Sequence, residues 1–276
     1  MQCFIVLMGL PTSIVANGKV EESQQKIKKN RFKMRHIQKI LIEQKTGKKY
    51  FVKDLTDDFH TSAGIISKKD LAKNGVVTSS KKKQLFCFEP TFIDLWENMT
   101  KGPQIVQQKD VGLILAKTGI NPCSVVVDAG GGSGSLCLSL ANICKKIVVY
   151  EINKVHYDIL EKNVEQFGST NVILKHQDIY KGINETNVDI LTLDLPEPWH
   201  VIPHAENALK VGGFMVVYLP NLTQVKMFLD TIKRTTITVL DIIELLERHW
   251  KIEERIMRPE HEMLGHTAFL VFCRKF

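Results

Sequence analysis

"SVVVDAGGGSGSLCLSL", residues 124–140, runs from a β-branched stretch through a glycine-rich loop into an apolar segment of helical spacing. Glycines alternate at 130, 132 and 134, so the backbone there turns sharply and meets a ligand with no Cβ in the way. A strand, such a loop and a helix in direct succession form the ligand-binding turn of an α/β domain. Downstream the alternation repeats. "KIVVYEI" (146–152), "NVILKHQD" (171–178), "VDILTLD" (188–194) and "GFMVVYLP" (213–220) read as strands, with "KVHYDILEKNVEQFG" (154–168) and "HAENALK" (204–210) as helices between them. Strands apolar on both faces predict a parallel sheet covered by helices, a doubly wound, Rossmann-like α/β domain. Nearer the end, "TITVLDIIELLE" (236–247) fits helical and buried-strand templates equally, whereas "HTAFLVFCRK" (266–275) is a strand.

Upstream, "IQKILIEQKTGKKYFV" (37–52) reads as a hairpin around a Lys-Thr-Gly turn, and "GVVTSS" (75–80) and "QLFCF" (84–88) add short strands. Residues 36–90 therefore form a small β-rich domain and 91–276 the α/β domain. Residues 1–35 are expected to be a disordered extension or a start placed too far upstream, because the basic run "KIKKNRFKMR" (26–35) precedes the first convincing structure and Met34 offers a later start.

A hydrophobic content of 44% and a charged content of 24% exclude a disordered chain, and no apolar run approaches the roughly 20 residues of a membrane-spanning helix. Of the net charge of +7, residues 1–35 supply +5, which leaves a nearly balanced body. Charge alone neither makes nor excludes a nucleic-acid binder. Cys3, Cys87, Cys123, Cys137, Cys144 and Cys273 include no CxxC pair, which excludes a zinc ribbon and predicts a reduced, cytoplasmic protein. The apolar start has no basic residue before it and makes a poor secretory signal.

The loop does not fit the dinucleotide fingerprint, because the sixth position counted from Gly130 is Ser135. Its D-x-G-x-G-x-G form instead resembles the first motif of S-adenosylmethionine-dependent methyltransferases. Glu151, 17 residues beyond Gly134, closes the next strand, where an acid can accept hydrogen bonds from both hydroxyls of an adenosine ribose. Asp178 ends the third strand and is placed to receive an adenine amine. Asp194 ends the fourth, in "DLPEPW" (194–199), where Pro196 and Pro198 stiffen the exit from the strand. A rigid loop that holds a carboxylate beside a bound cofactor suits catalysis by positioning. Trp199 in the same loop is read as a packing anchor ahead of a base-stacking surface.

From about Ile40 to Phe276 the chain resembles the tRNA (adenine-N1)-methyltransferases, which form 1-methyladenosine in the T-loop of tRNA. The resemblance rests on "FHTSAGII" (59–66), "PTFIDLWENM" (90–99), the glycine loop, "DLPEPW", "YLPNLTQV" (218–225) and "RPEHEMLGHTAFLVF" (258–272). It implies a class I methyltransferase fold, a mainly parallel seven-stranded sheet with its last strand antiparallel, behind a small N-terminal β-rich domain. It also implies that Gly130, Gly132, Ser133, Gly134, Ser135 and Leu136 hold S-adenosylmethionine, that Glu151 takes its ribose, that His156 contacts it and that Asp178 reads its adenine. Asp194 is then the catalytic residue. The target is implied to be position 58, with the adjacent 57 in archaeal members, and the assembly a homotetramer. The chain departs from the family in carrying "QQKD" (107–110) for Tyr-Pro-Lys-Asp and "DAGGGSG" for Glu-Ala-Gly-Thr-Gly-Ser-Gly; the first removes an aromatic contact or leaves it to be supplied elsewhere.

Two readings compete with this one: a methyltransferase of another substrate, such as a protein carboxylate, and a non-catalytic tRNA-binding partner subunit. The "RPEHEMLGHT" ending disfavours the first, and retention of the glycines, Glu151 and Asp194 disfavours the second. No metal is expected, since His261 and His266 are five apart, about 140° around a helix. Lys81 to Lys83 read as a solvated loop before an RNA contact. Arg255 and Arg258 suit phosphate contact or packing against the sheet, and the Leu/Ile stripe at 240–246 suits core or a subunit interface.

Overall fold

A computed structural model describes residues 37–102, 104–253 and 255–276, so the expectations for residues 1–35 lie outside the described residues. In the N-terminal region, β1 (Lys39–Glu43), β2 (Lys49–Val52), β5 (Gly75–Thr78) and β6 (Gln84–Phe88) make one antiparallel sheet in the order β2-β1-β6-β5, while β3 (Phe59–Thr61) pairs with β4 (Gly64–Ile66) ahead of the short α1 (Lys68–Leu71). The hairpin expected over 37–52 forms, with Gly47 at φ +68° and its N–H donating to Glu43 O at 2.8 Å. Alternate residues of β1 face opposite ways. Leu41 joins Val52, Leu71, Leu85 and Cys87 in a small core of the region's own. Ile37 and Ile40 belong instead to a core shared with Leu95 and Trp96 of α2 (Phe92–Asn98) and Val111 and Ile114 of α3 (Gln108–Thr118).

The larger domain continues as β7 (Val125–Ala129), α4 (Ser135–Ala141), β8 (Lys146–Tyr150), α5 (Lys154–Phe167), β9 (Val172–Lys175), β10 (Val188–Leu193), α6 (Ile202–Ala208), β11 (Leu209–Leu219), α7 (Leu222–Ile232) and β12 (Ile237–Ile243). A separate hairpin of β13 (Trp250–Glu253) and β14 (Ile256–Pro259) precedes β15 (Phe269–Lys275). Seven strands pair in the order β12-β15-β11-β10-β7-β8-β9, parallel from β11 through to β9, with β15 antiparallel to both its neighbours. This is the fold class expected.

The unbroken apolar runs follow from helices on both faces. Val126, Ile147, Val149 and Ile190 point into the core under α3, α4 and α5. Their neighbours Val127, Val148 and Leu191 point into a second core under α6 and α7, with Ile202, Ala205, Val225 and Phe228. Within the ambiguous stretch 236–247, Ile237–Ile243 is strand β12, because β15 offers a free edge and six of the seven residues pair with it, the register shifting at Leu240. From β7 the chain steps to β8 on one side, and β10 returns on the other. A crevice opens at the carboxyl ends of strands where the order reverses in this way.

Candidate cofactor and acceptor site

At that crevice the glycine loop closes on its surroundings. The N–H groups of Gly130 and Gly131 both donate to Tyr150 O, at 3.1 and 3.2 Å, which ties the loop to the end of β8. Gly130 lies at φ +85°, and a Cβ there would fall 2.0 Å from Asp194 O. The missing side chain is therefore what lets the end of β10 lie against the loop, with Asp194 N donating to Ala129 O at 2.9 Å. A cavity of about 520 Å³ opens beside it, lined by Gly130, Gly132, Ser133, Glu151, His156 and Asp194 from among the expected residues. Asp178 lies in a second cavity of about 220 Å³ that shares Gly130, Glu151, Ile152, Leu195 and Pro196 with the first. Ser135 and Leu136 border a recess of about 20 Å³ on the far side of the loop, again with Asp194. Gly134 opens α4 at φ +94°, with its N–H bonded to Gly131 O. It lines none of these spaces.

Glu151 is buried, and its two oxygens accept from Gly132 N at 2.8 Å and Asn153 N at 2.7 Å. Asp178 accepts from Tyr180 N at 2.9 Å. Asp194 differs: half-buried at the cavity wall, its carboxylate makes no hydrogen bond to the protein among the described residues. Burial, with the charge of Glu151 second, pushes its pKa up to about 6. Behind the loop, buried Asp128 accepts from the Thr192 hydroxyl, and burial raises its pKa to about 7.

Four observations test the fit of S-adenosylmethionine. Two carboxylates line the main cavity and no Lys or Arg does, which attracts a cationic sulfonium and repels a pyrophosphate. The hydroxyl of Ser133 is buried there with no hydrogen-bond partner among the described residues, which leaves it open to a ligand. A Cβ on Gly132 would meet only Gly130 O, at 3.7 Å, so that side of the loop is open to the cavity. The adjoining space sets the Asp178 carboxylate among Ile152, Ile179 and Leu195, an apolar wall and one acceptor of the kind an adenine and its amine require. The residues fit the cofactor.

Several wall residues escaped the sequence reading. Tyr218 and Gln224 line the cavity from "YLPNLTQV", and Gln224 Nε2 donates to Pro196 O at 2.8 Å, bracing the loop after Asp194. Tyr218 supplies an aromatic wall, and its hydroxyl donates to Asp110 Oδ2 at 3.2 Å. The same oxygen accepts from Thr267 at 2.8 Å, while Lys109 donates to Asp110 Oδ1 at 2.7 Å, so the Lys-Asp half of "QQKD" and the threonine of "GHT" form one buried clasp. Buried Asn163 donates to Ser133 O at 2.7 Å and Thr100 O at 2.8 Å, joining the glycine loop to the segment between α2 and α3. Its place on the inner face of α5 was the only signal.

Other expectations resolve simply. Trp199 packs, partly buried, on the second core. His266 engages Glu244 at 2.6 Å and Pro220 O at 2.7 Å. Arg258 sits on the β13–β14 hairpin and bonds Pro259 O at 3.2 Å, away from the main sheet.

Comparisons with known proteins agree with this geometry. The model of the tRNA methyltransferase complex GCD14 subunit family matches residues 84–257. The chain is 32% identical to the tRNA (adenine(57)-N(1)/adenine(58)-N(1))-methyltransferase TrmI of Methanocaldococcus jannaschii, over 86% of this chain and 94% of that protein. It is 29% identical to the tRNA (adenine(58)-N(1))-methyltransferase TrmI of Thermus thermophilus, over 86% of this chain and 96% of that one. Among solved structures, a SAM-dependent O-methyltransferase from Thermotoga maritima superposes with a TM-score of 0.77 at 29% identity, covering 87% of this chain and 93% of its own. By this family match and the 32% identity to TrmI, the chain belongs to the S-adenosylmethionine-dependent tRNA (adenine-N1)-methyltransferase family.

Proposed function

We propose that this protein methylates N1 of adenine in the T-loop of tRNA, at position 58 and also at 57. The observation that carries the reading is Asp194: a carboxylate without a protein partner at the wall shared by the glycine loop and the acceptor side of the cavity. Gly130, Gly132, Ser133, Ser135 and Leu136 hold the cofactor, with Gly134 shaping the loop as it enters α4, and Glu151 takes its ribose, His156 its flank and Asp178 its adenine. S-adenosylmethionine, when bound, supplies a methyl group activated by a sulfonium charge. Asp194 accepts a hydrogen bond from the exocyclic amine of the target adenine, which aligns N1 and offsets the positive charge that the base acquires on alkylation. Tyr218, Pro196 and Gln224 wall the space into which the base is turned out, at a cost of a few kcal/mol.

A homotetramer in the cytoplasm completes the reading. It is supported by the apolar face that Trp250, Ile252 and Met257 expose on the β13–β14 hairpin and by Leu240 and Ile242, exposed on edge strand β12. Buried thiols at Cys87, Cys137, Cys144 and Cys273 suit a reducing compartment. No helix among the described residues is long and apolar enough to cross a membrane.

The test incubates the protein with labelled S-adenosylmethionine and unmodified tRNA and digests the product to nucleosides. Label in 1-methyladenosine is expected, and transcripts with guanine at 57 or 58 assign the position. Label in protein alone, or none despite tRNA binding, overturns the reading. Asp194→Ala is expected to bind S-adenosylmethionine normally and to lose on the order of 10²-fold in turnover.

A further inference from the structure

The small β-rich region carries an excess of positive charge that the active site does not use. Residues 37–90 hold eleven Lys and no Arg against six Asp/Glu, while residues 91–276 hold nineteen Lys/Arg against twenty-two. In the larger domain Lys109, Lys117, Lys154, Lys175, Lys210, Lys226, Lys233 and Lys251 are in ion pairs, and in the β-rich region Lys49, Lys73 and Lys83 are. Lys45, Lys48, Lys53, Lys81 and Lys82 of the β-rich region are exposed and form no ion pair among the described residues.

Hairpin turns gather Lys45, Lys48, Lys81 and Lys82 at one end of the region, while Lys53 follows β2 at the other. The β3–β4 turn is pinned to the β5–β6 turn: Ser79 Oγ donates to Ala63 O at 2.6 Å, Ser80 N donates to Ile65 O at 2.9 Å, and a Cβ on Gly64 would lie 3.0 Å from Lys81 N and both serine hydroxyls. From the β1–β2 turn Lys48 Nζ donates to Ser62 Oγ at 3.0 Å, and Lys81 Nζ reaches Ser62 O at 3.4 Å from the other side. Tyr50 OH lies 2.8 Å from the same Ser62 hydroxyl, and its ring lies 5.4 Å from the Lys48 ammonium. Two ammonium groups and two hydroxyls thus converge, and the carboxylate within charge range of Lys48, that of Glu43, is bonded to Lys83 instead. Like charges held this close repel, and an anion placed between them removes the repulsion.

We propose that this turn cluster, centred on Lys48, Lys81, Ser62 and Tyr50, is a docking site for the phosphate backbone of tRNA outside the catalytic cavity. The inference rests on the tRNA reading above and deepens it. Lysine ammoniums act as point charges on phosphate and the hydroxyls as donors, a combination that positions a nucleic acid without reading its sequence. Lys83, held at 2.8 Å by buried Glu43, anchors the β5–β6 turn rather than contacting RNA.

Lys48→Gln/Lys81→Gln tests the assignment, with Lys226→Gln/Lys233→Gln as a control that removes the same charge from α7. Thermal melts establish that both variants fold. The first variant is expected to raise KM for tRNA about tenfold with kcat and S-adenosylmethionine binding unchanged, and to reduce the slope of log affinity against log salt by about 2 in filter binding. The control is expected to move neither. Unchanged KM and slope in the first variant, or equal losses in both, would overturn the docking site while leaving the methylation reading intact. Failure of the wild-type protein to bind or methylate tRNA would overturn both. Capture by phosphatidylserine vesicles without tRNA binding would reassign the cluster to a membrane surface and overturn it too.

Discussion

Asp194 is expected to govern both the pH profile and part of the stability. Its carboxylate must be ionised to accept from the adenine amine, so kcat/KM should fall below an apparent pKa of about 6. In the cofactor complex the sulfonium charge favours the ionised form, and the acid limb of kcat should lie at lower pH than that of kcat/KM. Stability runs the other way. An acid whose pKa rises on folding, here from about 4, holds its proton more tightly when folded, so the folded state loses stability as pH rises from about 4 through about 6 and keeps that deficit above. Asp194→Asn removes the deficit. It should raise the melting temperature at pH 8 by a few degrees, equivalent to about 1 kcal/mol after allowing for solvent, while lowering turnover by up to about 10²-fold. A lower melting temperature at pH 8 would show that the carboxylate is satisfied within the fold.

At the scale of elements, the contact between the glycine loop and the end of β10 is what makes a site. Gly130→Ala would introduce both backbone strain at φ +85° and a collision with the Asp194 carbonyl, forcing β7 and β10 apart. Destabilisation of more than about 2 kcal/mol in urea unfolding, with loss of S-adenosylmethionine binding, is expected. Gly119, at the end of α3, has φ +62° and nothing within 4 Å of an added Cβ. Gly119→Ala should cost about 1 kcal/mol from strain alone and leave binding intact. The Asp110 clasp acts between elements too. Thr267→Val leaves Asp110 Oδ2 with only Tyr218 as a direct donor, since Lys109 bonds the other oxygen. It should loosen the Tyr218 wall, raising KM for tRNA more than that for S-adenosylmethionine in steady-state assays.

On the scale of the whole molecule, the β13–β14 hairpin presents Trp250, Ile252 and Met257 on one face, since Ile252 pairs across from Met257. Exposed apolar residues grouped in this way call for a partner surface. Ile252→Glu is expected to lower the mass measured by light scattering by at least one subunit class without changing the far-UV circular dichroism; an unchanged mass removes the hairpin from the interface. The doubly wound architecture, six of its seven strands and the acids beyond their ends were legible along the chain, because β-branched runs, helical periods and a glycine loop are local signals repeated in a fixed order. Glu151, Asp178 and Asp194 could be named because each follows a strand-like run, although β9 itself ends at Lys175 and Asp178 caps the short turn beyond it. The tertiary structure decided what depends on distant segments meeting. It made Ile237–Ile243 a strand because β15 offered an edge. It gave Gly130 the further task of admitting Asp194, joined Asp110 to Tyr218 and Thr267 across 108 and 157 positions, and gathered lysines from separate turns around Ser62. Side-chain packing and charge act through space, and a period in the sequence records only which face a residue takes, not what it will meet there.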